Sequence, residues 1–181
     1  MLKIERISKN HDRKAFDCGN KVLNEFLQKH ARQHADREIS RTFVCIDSET
    51  PNKVLGYYTL AACEILPADI PDARLKRYPH PMPAAKLARL AVNTGNQRMG
   101  IGEKLLLNGM ERVLRISENV GLVGMFVDAK NTEALRIPAK SNTDSGGSRT
   151  LFPPQALPIE FLPQVFDFSQ PGFEFSHRFS T

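Results

Sequence analysis

Cysteine is scarce in this chain, long apolar runs are absent, and histidine shows no metal-ligand spacing. The three cysteines, Cys18, Cys45 and Cys63, are odd in number and far apart, with no Cys-x-x-Cys pair. That excludes a zinc knuckle and a disulfide framework. Cys45 and Cys63 sit inside strand-like runs and read as small core residues. No apolar run approaches the roughly 20 residues needed to span a bilayer. The start, Met1-Leu2-Lys3-Ile4-Glu5-Arg6, lacks the apolar core of a secretion signal. The expectation is a cytoplasmic protein with no membrane partner. His30 and His34 stand at i, i+4, but no third ligand accompanies them, so no metal site is expected.

What is present is ordinary in total and informative in order. The chain has 181 residues, 41% hydrophobic and 25% charged, which suits one soluble domain with a sizeable core. A formal charge of +5 leans toward acidic partners, nucleic acid included. Residues 2–7 alternate as a short strand. Asp17-Cys18-Gly19-Asn20 looks like a helix start, after which Leu23, Phe26, Leu27, His30 and Ala31 mark one helical face. Lys21, Lys29 and Arg32 occupy the other face, with Arg37 a little beyond. Residues 40–47 and 54–65 read as an antiparallel hairpin around Ser-Glu-Thr-Pro-Asn-Lys. Residues 66–83 hold five prolines and are expected to form a surface loop.

The densest signal lies in residues 87–116. An apolar strand (86–92) feeds a glycine-bearing turn, and a helix over 102–119 follows, with Leu106, Met110, Val113 and Leu114 on its buried face. Turn and helix start converge backbone N–H groups on one point, where the helix dipole adds partial positive charge. Gly100 and Gly102 permit close approach of a ligand to the backbone. Residues 122–127 return to strand, so strand, crossover helix and strand imply a parallel pair. Residues 128–136 begin to look helical.

Gln97-Arg98-Met99-Gly100-Ile101-Gly102 resembles the (Gln/Arg)-x-x-Gly-x-(Gly/Ala) signature of GCN5-related N-acetyltransferases, which hold the pyrophosphate of acetyl-CoA. Five further phrases resemble the toxin branch of that family. They are Phe16-Asp17-Cys18-Gly19, Ser40-Arg41-Thr42-Phe43-Val44, Gly56-Tyr57-Tyr58-Thr59-Leu60, Arg89-Leu90-Ala91-Val92 and Val127-Asp128-Ala129-Lys130. The resemblance covers roughly residues 1–136 and implies an α/β fold: a mixed sheet around a central acetyl-CoA-binding βαβ unit. It implies an N-acetyltransferase that acetylates the amine of aminoacyl-tRNA by direct attack within a ternary complex. It also implies a ribbon-helix-helix antitoxin as partner; assembly into a homodimer is left open. By the same resemblance the backbone of Leu90, Ala91 and Val92 lines the pantetheine of acetyl-CoA. The turn Gln97, Arg98, Met99, Gly100, Ile101 and Gly102 takes its pyrophosphate.

Beyond Arg136 the pattern departs. The family continues with Phe-Tyr and then Phe/Tyr-Gly-Phe, whereas this chain reads Ile137-Pro138-Ala139-Lys140-Ser141-Asn142. The tyrosine that protonates the departing thiolate in the family is missing, and Pro138 breaks the helix that presents it. Residues 137–181 hold six of the twelve prolines and seven of the eleven phenylalanines, without a sustained period. They are expected to be a weakly ordered second segment in which the C-terminal strands are missing or altered, with short strands at 150–152 and 173–179. Tyr57, Tyr58 and Tyr78 are the only tyrosines left, and adjacent strand residues face opposite sides, so the catalytic group is not identified. Arg32, Arg37, Arg41, Arg74, Lys76, Arg77, Lys86 and Arg89 are the candidates for tRNA phosphates. The alternative reading is an inactive remnant that keeps acetyl-CoA or antitoxin binding.

Overall fold

The computed structural model describes residues 1–65 and 81–127 with their side chains, and the backbone of residues 164–167. A six-stranded sheet runs in the order β1 (Leu2–Arg6), β2 (Arg41–Asp47), β3 (Gly56–Ile65), β4 (Met82–Val92), β5 (Gly124–Val127) and β6 (Gln164–Asp167). All neighbours are antiparallel except β4 and β5, which pair in parallel. The helix α3 (Ile101–Ser117) connects that pair, as strand–crossover–strand chemistry requires. The mixed α/β fold expected from the sequence is the one found.

The alternation of side chains in β2, β3 and β4 sends residues to two separate cores. On one face Phe43, Cys45, Tyr58 and Leu87 pack against Ile101, Leu105, Leu106, Met110 and Val113 of α3. On the other, Val44, Ile46, Tyr57 and Ala91 pack against Phe16, Phe26, Leu27 and Ala31. The second face is covered by a helix in three pieces: α1 (Lys21–Glu25), a π-helical turn (Phe26–His30) and α2 (Ala31–Asp36). Asn20 caps its start, its side chain accepting from the amides of Val22 and Leu23.

Several boundaries move, each for a physical reason. The π turn inserts an extra residue, with Ala31 N–H donating to Phe26 O, and this rotates His30 out to solvent rather than onto the buried face. Met82 and Pro83 belong to β4, not to a loop. Pro83 C=O accepts from Val123 N (2.9 Å), so its missing N–H points to the same side, where β5 has not yet begun. In α3 Leu105 and Val113 are both fully buried, while Leu114 is only half-buried. The strand β6 was not foreseen; it pairs with β5 from Gly124↔Asp167 to Val127↔Gln164. The expected helix at 128–136, the strands at 150–152 and 173–179, and the boundary at 136/137 lie outside the described residues. No helix among the described residues is long and apolar enough to cross a membrane.

Candidate functional site

The site grows from an irregularity in β4. Its pairing with β3 runs Ala61↔Lys86 and Leu60↔Leu87, then resumes at Thr59↔Arg89, leaving Ala88 as the extra residue of a bulge. The bulge reverses the alternation downstream. Leu87 packs toward α3, yet Arg89 and Ala91 both face the first helix, and Val92 returns to the α3 side. Backbone groups turn with the side chains. Asn93 N donates to Leu55 O at 2.9 Å and Ala91 pairs with Tyr57, so Leu90 and Val92 direct their N–H and C=O away from β3. On that side β5 pairs only with Ala85, Lys86 and Leu87. Among the described residues, 88–92 therefore form an open strand edge, and Leu90 is its exposed apolar side chain.

The turn after this edge is held from two directions. Asn93 Oδ1 accepts from Gly95 N and shapes a 3₁₀ turn over Thr94–Asn96. Gln97 Nε2 donates both to Val92 O (3.1 Å) and to Cys18 O (3.3 Å). Thr94 N donates to Asp17 O at 2.8 Å. Asp17 Oδ1 in turn accepts from Gly19 N (2.8 Å) and Asn24 Nδ2 (2.7 Å). Those two bonds, the Gly19 amide foremost, hold the Asp17 carboxyl below the usual aspartate range. Turn and first helix are thus one hydrogen-bonded unit.

Arg98 takes the left-handed conformation at φ +64°, and Gly100, the N-cap of α3, takes it at φ +76°. A Cβ on Gly100 meets nothing within 4 Å, so the backbone angle, rather than crowding, is what calls for glycine there. The first intrahelical bond is Lys104 N to Gly100 O, which leaves the amides of Ile101, Gly102 and Glu103 without an intrahelical acceptor. They open at the positive end of a 17-residue helix. Arg98, Glu103 and Lys104 ring this point, all exposed, with a cationic excess of one. The arrangement can take up an anion with backbone amides, beside an open strand edge able to pair with an amide-bearing chain.

The sequence-derived residues divide clearly. Met99, Arg98 and Leu90 are exposed; Ile101 and Ala91 point into the two cores; the Gln97 side chain serves as a brace. Tyr57 and Tyr58, on opposite faces of the sheet, are both fully buried. Tyr57 OH donates to Leu23 O and Tyr58 OH to Asn108 Oδ1, each at 2.8 Å. Burial pushes both phenols far above the ordinary tyrosine range. Neither faces the open edge as a proton donor. Burial also raises the thiols of Cys18, Cys45 and Cys63, which keeps them protonated.

Of the basic candidates, Arg41 is engaged by Glu38 and Ala35 O. Arg89 stacks on the Phe26 ring, its Cζ 3.7 Å from the centroid, and Lys86 lies 5.4 Å from that of Phe126. Arg32 is half-buried and Arg37 exposed; Arg74, Lys76, Arg77 and Tyr78 lie outside the described residues. Among the described residues no three His, Cys, Asp or Glu side chains gather as metal ligands. Sequence reasoning missed His11, which is buried. Its Nδ1 accepts from Ser8 N (2.9 Å) and its Nε2 reaches Glu5 (3.2 Å), so it is a structural bracket.

No protein-family model matches the chain. It is similar to a tRNA-acetylating toxin of Mycobacterium tuberculosis (strain ATCC 25618 / H37Rv), 34% identical over 130 residues, 71% of this chain and 76% of the relative. Among solved structures it is similar to AtaT complexed with acetyl-methionyl-tRNAfMet, with a TM-score of 0.68 and 33% identity, covering 74% of this chain and 81% of that one. It is also similar to a tyrosine-to-phenylalanine mutant of the AtaT toxin bound to the C-terminus of the antitoxin AtaR and acetyl-CoA. There the TM-score is 0.62 and the identity 31%, covering 75% of this chain and 79% of that one.

Proposed function

The chain belongs to the GCN5-related N-acetyltransferase toxins, and from that premise we propose how its own residues divide the work of moving an acetyl group from acetyl-CoA to the amine of aminoacyl-tRNA. The observation that carries this reading is the continuity of open strand edge, braced turn and helix start within residues 88–103. Acetyl-CoA offers the matching sequence of groups: an acetyl thioester, an amide-bearing pantetheine and a pyrophosphate. Leu90 supplies strand-like N–H and C=O partners to the pantetheine amides and Val92 its N–H, since Val92 O already accepts from Gln97, with Ala91 turned away as their spacer. The amides of Ile101, Gly102 and Glu103 receive the pyrophosphate, assisted by Arg98. Gln97 and Gly100 set the shape of the turn, and Met99 covers it.

The thioester supplies the activated acyl group. A free amine on the acceptor attacks its carbonyl carbon; the C–N bond forms, the C–S bond breaks, and the amine loses a proton as the CoA thiolate gains one. Residues of this chain contribute alignment and exclusion of water along the edge. Neither Tyr57 nor Tyr58 delivers the proton to sulfur. Loss of a positioned general acid typically costs about 10²- to 10⁴-fold, which slows transfer without abolishing it.

For partners, the reading adds an antitoxin of the ribbon-helix-helix type, a cytoplasmic setting, and residues 1–136 as the catalytic unit with 137–181 as an appended segment. A second reading, an inactive acetyl-CoA binder, is favoured by one observation: the sequence has no tyrosine after Tyr78. Incubating the purified chain with acetyl-CoA and charged tRNA, then releasing the amino acids with base for mass spectrometry, decides between them. N-acetylated amino acids that require acetyl-CoA support the enzyme. Saturable acetyl-CoA binding with no acetylated product supports the binder.

A further inference from the structure

The β4 bulge does a second thing besides opening the strand edge: it places Arg89 on the face of the sheet covered by the first helix. With regular alternation from Leu87, residue 89 faces α3 instead. On the helix face its guanidinium carbon lies 3.7 Å from the centroid of Phe26, whose ring is itself stacked on Tyr57 (6.3 Å) and edged by His34 (5.4 Å). An arginine held over a ring face by cation–π attraction keeps its N–H donors for other partners. Arg89 is half-buried, and among the described residues it has neither a carboxylate nor a hydrogen-bond acceptor as partner. Arg41, by contrast, is spent on Glu38. Opposite Arg89 across the strands stand Thr59 and then Thr42, both buried and bonded to each other at 2.9 Å. Two residues before Thr42, the Ser40 hydroxyl is buried without a hydrogen-bond partner among the described residues.

A half-buried guanidinium held over an aromatic ring beside the open edge, with no acceptor among the described residues, is suited to take an anion through charge-assisted hydrogen bonds. We propose that Arg89 is the acceptor-side phosphate receptor, gripping a phosphodiester oxygen of the 3′-terminal nucleotides of the aminoacyl-tRNA so that its amine meets the edge at Leu90. This rests on the acetyltransferase reading above. Phosphate also occurs in acetyl-CoA, so the test must separate the two sources.

The full-length chain and its R89Q and R89K variants are compared in three assays. In filter binding of uncharged tRNA across a salt series, which needs no catalysis, R89Q is expected to bind about tenfold or more weakly. Its log–log salt slope should be shallower by roughly 0.7–0.9, the value of one phosphate. In steady-state acetylation, R89Q raises KM for aminoacyl-tRNA and leaves KM for acetyl-CoA unchanged; R89K, which keeps the charge but not the planar fork, recovers part of the loss. A thermal scan reads out folding. Unchanged tRNA affinity and salt slope in R89Q overturn the proposal, as does a rise confined to the acetyl-CoA KM, which assigns the phosphate to the donor. If R89Q fails to fold, the same comparison of salt slope and KM is made on R89M, which removes the charge but keeps an unbranched stem to cover Phe26, and wild-type values there overturn it. Failure of wild-type acetylation with the R89Q binding defect intact refutes the catalytic reading and leaves the phosphate site standing.

Discussion

Tyr57 and Tyr58 show how far one residue's role depends on where its hydroxyl ends. Both phenols are sealed in cores and donate to fixed acceptors, Leu23 O and Asn108 Oδ1. Each Phe replacement removes one hydrogen bond, a cost of about 1 kcal/mol, while Leu23 O keeps the Phe26 amide and Asn108 Oδ1 keeps Arg112 Nε as donors. For a chain of this length that lowers Tm by roughly 2–4 °C. Y57F and Y58F are therefore expected to lose stability while keeping kcat within twofold, measured by thermal scans and acetylation kinetics. Gly100 is the opposite case, a residue whose backbone angle is its function. G100A forces an L-residue to φ +76°, costing about 1–2 kcal/mol. The strain sits at the turn, so the expected signature is a raised KM for acetyl-CoA.

At the scale of elements, α3 packs closely onto β3. A Cβ on Gly56 falls 2.9 Å from Leu105 Cδ1 and 3.0 Å from Ala91 O, a backbone atom that cannot yield cheaply. G56A is expected to destabilise by about 1–3 kcal/mol. On α3 itself a Cβ on Gly109 meets the Tyr58 ring at 3.4 Å, an ordinary contact, and the residue is mid-helix. G109A is expected to be neutral or stabilising by up to about 1 kcal/mol. Paired denaturant titrations check both.

The elements also divide what could be read in advance from what could not. The segment from Arg89 to Gly102 was legible because its chemistry is local: a strand, a turn with two glycines, a helix start. The bulge was not, since an extra residue in a strand changes no local preference; it becomes visible only in the register with β3, where Ala88 has no partner. The π turn escaped for the same reason, and it moved His30 off the buried face. The strand β6 offers four residues, Gln-Val-Phe-Asp, too few for a period. Its existence depends on pairing with β5 about forty residues earlier.

Across the whole molecule, the turn before α3 and the first helix behave as one body because Asp17 and Gln97 join them. The Asp17 carboxyl is held below its unfolded value, so the stabilisation it provides is complete above the unfolded pKa and is lost as pH falls through the folded one. Glu5, Glu25, Glu38 and Asp47 are depressed as well, by their Lys, Arg or N-terminal amine partners, so acid loosening is a sum of several groups. A D17N variant is expected to show a shallower loss of Tm below roughly pH 4 than the wild type, because one titrating carboxylate is gone. Equal acid slopes contradict the brace. The fold was legible at this scale from strand order and the crossover helix; the identity of the proton donor to sulfur was not, since the two tyrosines the sequence offered in the described residues are structural.

The most direct test is single-turnover acetyl transfer, with the protein in excess over charged tRNA and acetyl-labelled acetyl-CoA saturating. Label is expected to appear on the amino acid of the tRNA as a stable amide, slowly, with release of one CoA thiol per acetyl transferred. Full occupancy by acetyl-CoA with no amide formed after prolonged incubation contradicts the account.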